Sequence, residues 1–148
     1  MPYKSRYVDS GKGVHKVGYG LLTTAHLVDS AKRQVADVAR ARKLKYGLVD
    51  FSQVTELRLA ADTFERWIEE NRKLAAMTPG AFVAVVASTP LSYDLARLWQ
   101  SHAADLGWNS LVFRERHDAI LWLRKQLGVK RSNEDEYPSL DWELNYSD

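Results

Sequence analysis

Ala81-Phe82-Val83-Ala84-Val85-Val86-Ala87-Ser88-Thr89-Pro90 is the stretch on which the fold turns. Its seven consecutive apolar residues make a run of strand length, rich in β-branched valine, and suit a strand covered on both faces. Ser88 or Thr89 then offers a hydroxyl for a helix N-cap. Pro90 takes the first helical position, where its missing N–H has no helical partner to lose. A doubly covered strand running straight into a helix is one unit of parallel α/β architecture.

The same unit recurs on either side. Downstream, Leu91, Leu95, Leu98, His102 and Leu106 form a helical stripe that predicts a buried face, with His102 partly buried in it. Ser110 to Phe113 is a brief strand. Ala119, Ile120, Leu123 and Leu127 stripe a last helix that Gly128 terminates. Upstream, Tyr46-Gly47-Leu48-Val49-Asp50-Phe51 is a short covered strand. Ala60, Phe64, Trp67, Ile68, Asn71 and Ala75 predict the helix after it, with Glu69 and Lys73 as an i, i+4 ion pair on its wet side. Val28, Ala31, Val35, Val38 and Ala39 stripe an earlier helix capped by Thr23 or Thr24. The cations Arg40, Arg42 and Lys43 sit in its last turn, where they offset the helix dipole. Tyr3 to Val8 and Val14 to Leu22 flank the turn cluster Asp9-Ser10-Gly11-Lys12-Gly13 and read as an opening hairpin. The expected fold class is therefore α/β: a mixed, mostly parallel sheet flanked by helices, with an N-terminal β-hairpin.

The chain of 148 residues has room for one hydrophobic core. Residues 1–133 are read as a single domain and 134–148 as an acidic tail docked on its own body or on a second copy. The tail holds six acidic residues and no Lys or Arg, which leaves 21 basic against 13 acidic residues over 1–133, a net +8. Such a body could attract nucleic acid or anionic lipid. Its basic residues are scattered rather than clustered, which favours the folded-back tail over a nucleic-acid partner. Within the tail, Leu140, Trp142, Leu144 and Tyr146 alternate with polar residues in a strand pattern. No segment reads as a signal peptide or membrane span, and there is no cysteine, so a cytoplasmic location is expected.

Tyr19-Gly20-Leu21-Leu22-Thr23, Leu48-Val49-Asp50-Phe51-Ser52, Val83-Ala84-Val85-Val86-Ala87 with Leu95-Ala96-Arg97, and Val112-Phe113-Arg114 with Ala119-Ile120-Leu121-Trp122-Leu123 together resemble the SpoIIAA-like, or STAS-like, bacterial proteins. The resemblance spans roughly residues 3 to 127 and rests on the order and spacing of these pieces. It implies a relative of anti-sigma-factor antagonists, distantly similar to Sec14-type lipid-binding domains. It also implies a phosphorylatable serine at the start of the helix after the Asp50 strand, where a phosphate would alter partner docking. The matching stretch here, Arg58-Leu59-Ala60-Ala61-Asp62, has no hydroxyl; Ser52, Thr55 and Thr63 lie nearby.

Ligands of open parallel sheets bind where the carboxyl ends of strands meet helix N-termini. That edge presents Asp50, Ser52, Ser88, Thr89 and Arg114, with Tyr93 and Arg97 on the helix behind. Free N–H groups from Thr89 to Leu91 could hold an anion, unless Ser88 or Thr89 merely caps the helix. No glycine pattern forms a phosphate cradle, and no G-x-S-x-G surrounds Ser88. His15, His26, His102 and His117 lack zinc spacing, so no metal and no cofactor is implied. Asp50 with Asp94 or Glu115 is the nearest approach to an acid/base pair. The leading expectation is a non-catalytic binding or regulatory module with a protein partner or a homodimer. A carrier of a small lipid or apolar ligand is the alternative, and an enzyme of unknown class the second alternative.

Overall fold

A computed structural model describes residues 2–128. The acidic tail, expected to dock, lies outside the described residues.

The elements follow in the order β1 (Tyr3–Val8), β2 (Gly13–Thr23), α1 (Thr24–Ala36), α2 (Val38–Ala41), β3 (Tyr46–Arg58), α3 (Ala61–Met77), β4 (Phe82–Val86), α4 (Pro90–Ala103), β5 (Asn109–Phe113) and α5 (Arg116–Gln126). The five strands form one sheet in sequence order. β1 pairs antiparallel with β2, and β2, β3, β4 and β5 are parallel to one another. The hairpin, the crossovers and the mostly parallel sheet are as the residues predicted.

Because strand side chains alternate, the sheet buries two different faces. Phe51, Val83 and Val85 meet Leu27, Val28 and Ala31 of α1, Trp67 and Ile68 of α3, and Leu95 and Trp99 of α4. Tyr46, Leu48, Ala84 and Val86 point the other way, onto Ala119, Ile120 and Leu123 of α5. The continuous apolar run of β4 is thus required by a helix layer on each side.

A tight turn over Asp9–Gly11 joins β1 to β2. Gly13 follows it for a steric reason. A Cβ there would lie 2.2 Å from Cζ of the buried Tyr46 ring, so the two strands can pair at this rung only without a side chain. Gly128 caps the last helix in the left-handed region (φ 73°), as expected.

Several faces differ from the sequence reading. α1 stops at Ala36, because the Asp37 carboxylate accepts the Arg40 N–H at 3.3 Å and starts the separate helix α2. Val38 and Ala39 are therefore exposed, and the buried stripe is Leu27, Val28, Ala31 and Gln34. On α4 the buried side is Ser92, Leu95, Ala96, Trp99 and Ala103, while Leu91, Leu98 and His102 face outward. The sheet accepts a helix at close range where small residues lie beneath it, and counting leucines alone picks a rotated face. His102 is thus an exposed residue whose ring packs edge-on against Phe64 at 5.0 Å, and not a partly buried one. On α3, Ala60 is an exposed N-cap, and Glu70 is buried rather than on the wet side. Lys73 pairs with Glu70 at 2.9 Å instead of with Glu69, which pairs with Arg72 at 3.3 Å.

Candidate functional site

Among the described residues, polar side chains gather at the carboxyl edge of the sheet and around a cavity under the α1/α3/α4 layer.

At the edge, β3 outruns β4. The β3–β4 ladder ends at Asp50↔Val86, whereas β2 and β3 stay paired to Thr23↔Arg58. Asp50 is buried at this last rung, and its carboxylate accepts the Ser52 N–H at 2.8 Å, closing a local turn. Burial raises its pKa. The hydrogen bonds from Ser52 and the Arg116 charge act in the opposite direction. Ser88 is exposed and makes no cap. Thr89 is the cap of α4: its hydroxyl accepts the Ser92 N–H at 3.1 Å, and Ser92 Oγ accepts the Thr89 N–H at 3.1 Å. These mutual bonds take up the Thr89 and Ser92 N–H groups, two of the donors that an anion would otherwise claim there.

One turn along α4, Arg97 donates from Nη1 to the Tyr93 hydroxyl at 3.1 Å, and the Arg114 guanidinium lies 4.1 Å from the Tyr93 ring centre. The Arg97 hydrogen bond is the main cause of a lowered Tyr93 pKa. Tyr93, Arg97 and Arg114 therefore form one cluster. No hydrogen bond among the described residues links it to Asp50 and Ser52, which close on each other. Beside the α3 start, the Thr63 hydroxyl donates to Ala60 O at 3.0 Å and is also held by Thr24. This hydroxyl, near the point where the sequence resemblance implied a phosphorylatable serine, is already engaged.

The cavity was not foreseen. It measures about 70 Å³ and is lined by Tyr3, Val14 and Lys16 of β1 and β2, Gln34 of α1, Trp67 and Asn71 of α3, and Trp99 of α4. Leu44, Thr78 and Ala81 also line it, near the starts of β3 and β4 rather than at their carboxyl ends. Lipid-sized ligand pockets run to roughly 300–1,000 Å³, so this space does not suit a lipid. Lys16 is 8% exposed; its ammonium donates to Gln34 Oε1 and lies 5.7 Å from the Tyr3 ring centre. Burial first, and then the Arg33 charge, pull the Lys16 pKa down to about 7. The Tyr3 hydroxyl is raised by burial. One signal for this site was present in the sequence: Gln34 stands at i+3 from Ala31 and i+7 from Leu27, on the buried stripe. Lys16 carried none, because a lysine in a half-buried strand ordinarily points to water.

On the opposite face His15 is also buried. Desolvation, followed by the charges of Arg116 and Arg6, lowers its pKa to about 4, so it is neutral at physiological pH.

Alternating parallel units in sequence order, a leading hairpin and a helix on each face define the SpoIIAA-like α/β fold. A solved structure that shares it is that of the anti-sigma factor antagonist SpoIIAA in its unphosphorylated form. It is 11% identical, with a TM-score of 0.53 over 82% of this chain and 97% of that one. No known family profile matches the sequence, and no curated protein is detectably similar to it. Among the described residues no helix is long and apolar enough to cross a membrane.

Proposed function

We propose that this chain is a non-catalytic regulatory module that docks an acidic protein surface on the carboxyl edge of its sheet. The observation that carries the reading is the Tyr93–Arg97–Arg114 cluster. Its two guanidiniums meet no carboxylate among the described residues, one bonding the tyrosine hydroxyl and the other lying over its ring. At the same end of the sheet Leu21, Leu59 and Leu91 remain 37%, 41% and 37% exposed. Arginine and tyrosine are among the side chains enriched at protein-binding hot spots. The likeness in fold to an anti-sigma factor antagonist supports the same class of action, by analogy of fold alone.

The test is a quantitative pulldown with the wild type, with Arg97→Glu/Arg114→Glu, and with Leu91→Asp, each confirmed folded by circular dichroism. A partner retained by the wild type and lost by both variants supports the reading. Equal retention by all three refutes it. Light scattering on the same samples separates a second copy of the chain from a different protein, because a homodimer at this edge would dissociate in the same two variants.

A further inference from the structure

We propose that the cavity beside Lys16 is a binding site for a small monocarboxylate with an apolar body. Its wall is the first reason. Trp67, Trp99, Phe51, Val83 and Val85 supply an apolar surface, and no carboxylate is among the described residues that line it. Into this wall project two donors. The Lys16 ammonium has three N–H groups, of which Gln34 Oε1 takes one. The Gln34 side chain is 4% exposed, and its Nε2 reaches hydrogen-bond geometry with no described group. That amide also acts weakly on Tyr7, lowering the phenol's pKa against burial. Even granting Tyr7 one N–H, the second remains.

A buried, unsatisfied donor costs free energy, and a buried cation without a counter-ion costs more. Both deficits are met by one ligand group with two acceptor oxygens and a negative charge. The charged groups that act on Lys16 do not supply it: Arg33 of α1 is a cation, and Tyr3 of β1, raised by burial, is a neutral phenol. Asn71 of α3 is already turned inward on its own helix, donating to Trp67 O at 2.6 Å. The size of the ligand follows from the space. Roughly 10–15 Å³ of such room holds one water, so about 70 Å³ accepts a short aliphatic chain or at most a single ring.

A carboxylate bound beside Lys16 would restore its proton, since an opposite charge favours the charged form. The experiment uses butyrate against the isosteric neutral butyramide, followed by tryptophan fluorescence and calorimetry on the full chain. Binding of butyrate at least tenfold tighter than butyramide, and at least tenfold weaker in Lys16→Met, is the expected result. Butyramide binding as well as butyrate, or neither binding at all, overturns the proposal. Should Lys16→Met fail to fold, Gln34→Leu and the Lys16 Cε resonance of the wild type replace it. The lysine must then titrate at higher pH with butyrate present, and an unmoved titration counts against the site.

Discussion

Replacing Lys16 by Met separates a buried charge from the fold that tolerates it. Methionine follows the lysine side chain as far as Cε, with sulfur in place of Cδ, and removes the ammonium. In the folded protein Lys16 loses its proton near pH 7, against an ordinary value of 10.5. Between those values the unfolded chain binds more protons than the folded one, so stability rises with pH. Below pH 7 the penalty is fully present. Each tenfold loss of proton affinity is worth about 1.36 kcal/mol, so the charge costs about 4 kcal/mol at pH 7. From pH 7 to pH 9 about 2 kcal/mol of that is recovered. At roughly 3 °C per kcal/mol for a chain of this size, the wild-type melting temperature should climb by about 6 °C over those two pH units. In Lys16→Met the lysine contribution to this rise is absent. At pH 7 the variant should be the more stable protein, less about 1–3 kcal/mol for the Gln34 carbonyl left without its donor. The assay is calorimetry at half-unit steps from pH 7 to 9, below the range where tyrosines ionise in the unfolded chain. Parallel curves for the two proteins would refute the reasoning, because they would mean that Lys16 reaches water.

Other perturbations test the frame around both sites. Gly13→Ala puts a methyl into the buried Tyr46 ring and should destabilise the protein by about 1–3 kcal/mol; a denaturant melt that shows no loss would mean that the β2–β3 register relaxes freely. Thr89→Ala removes the cap of α4 and should cost about 1 kcal/mol, with Thr89→Ser restoring it. Leu123→Ala, at a position with no exposed surface, should cost about 2–5 kcal/mol by opening a hole between α5 and the sheet. A loss below about 1 kcal/mol would show that α5 is not part of the cooperative core. His15 is held neutral, so between about pH 6.5 and 4 the unfolded chain takes up its proton first and stability falls as pH falls. His15→Asn should flatten that acid limb, and an unchanged limb would remove His15 as its cause.

The edge cluster was largely legible from the residues alone. Pro90 announces a helix start, and a helix start after a covered strand places Tyr93, Arg97 and Arg114 at one end of the sheet. The division of labour within that edge was not legible. Asp50 turns back onto Ser52, and Thr89 commits its hydroxyl to Ser92, because backbone donors two and three residues along the chain are within hydrogen-bond reach. Of the Lys16 cavity only Gln34, on the buried stripe of α1, left a sign in the sequence. The cavity lining comes from β1, β2, β3, β4, α1, α3 and α4, and sequence spacing says nothing about which side chains meet across so many elements.

Period-two and period-3.6 patterning, together with caps and turn residues, was enough to set the alternation of strands and helices. These signals are local, and each is decided by a few neighbouring residues. Which face of α1 and α4 is buried, where β3 ends, and why a lysine sits in the interior are set only when the layers close. Helix faces are chosen there by the room beneath them, with Ser92 and Ala96 packed inward while Leu91 and Leu98 stay outside. Close packing selects for shape as well as apolarity, and shape exists only once the chain has folded.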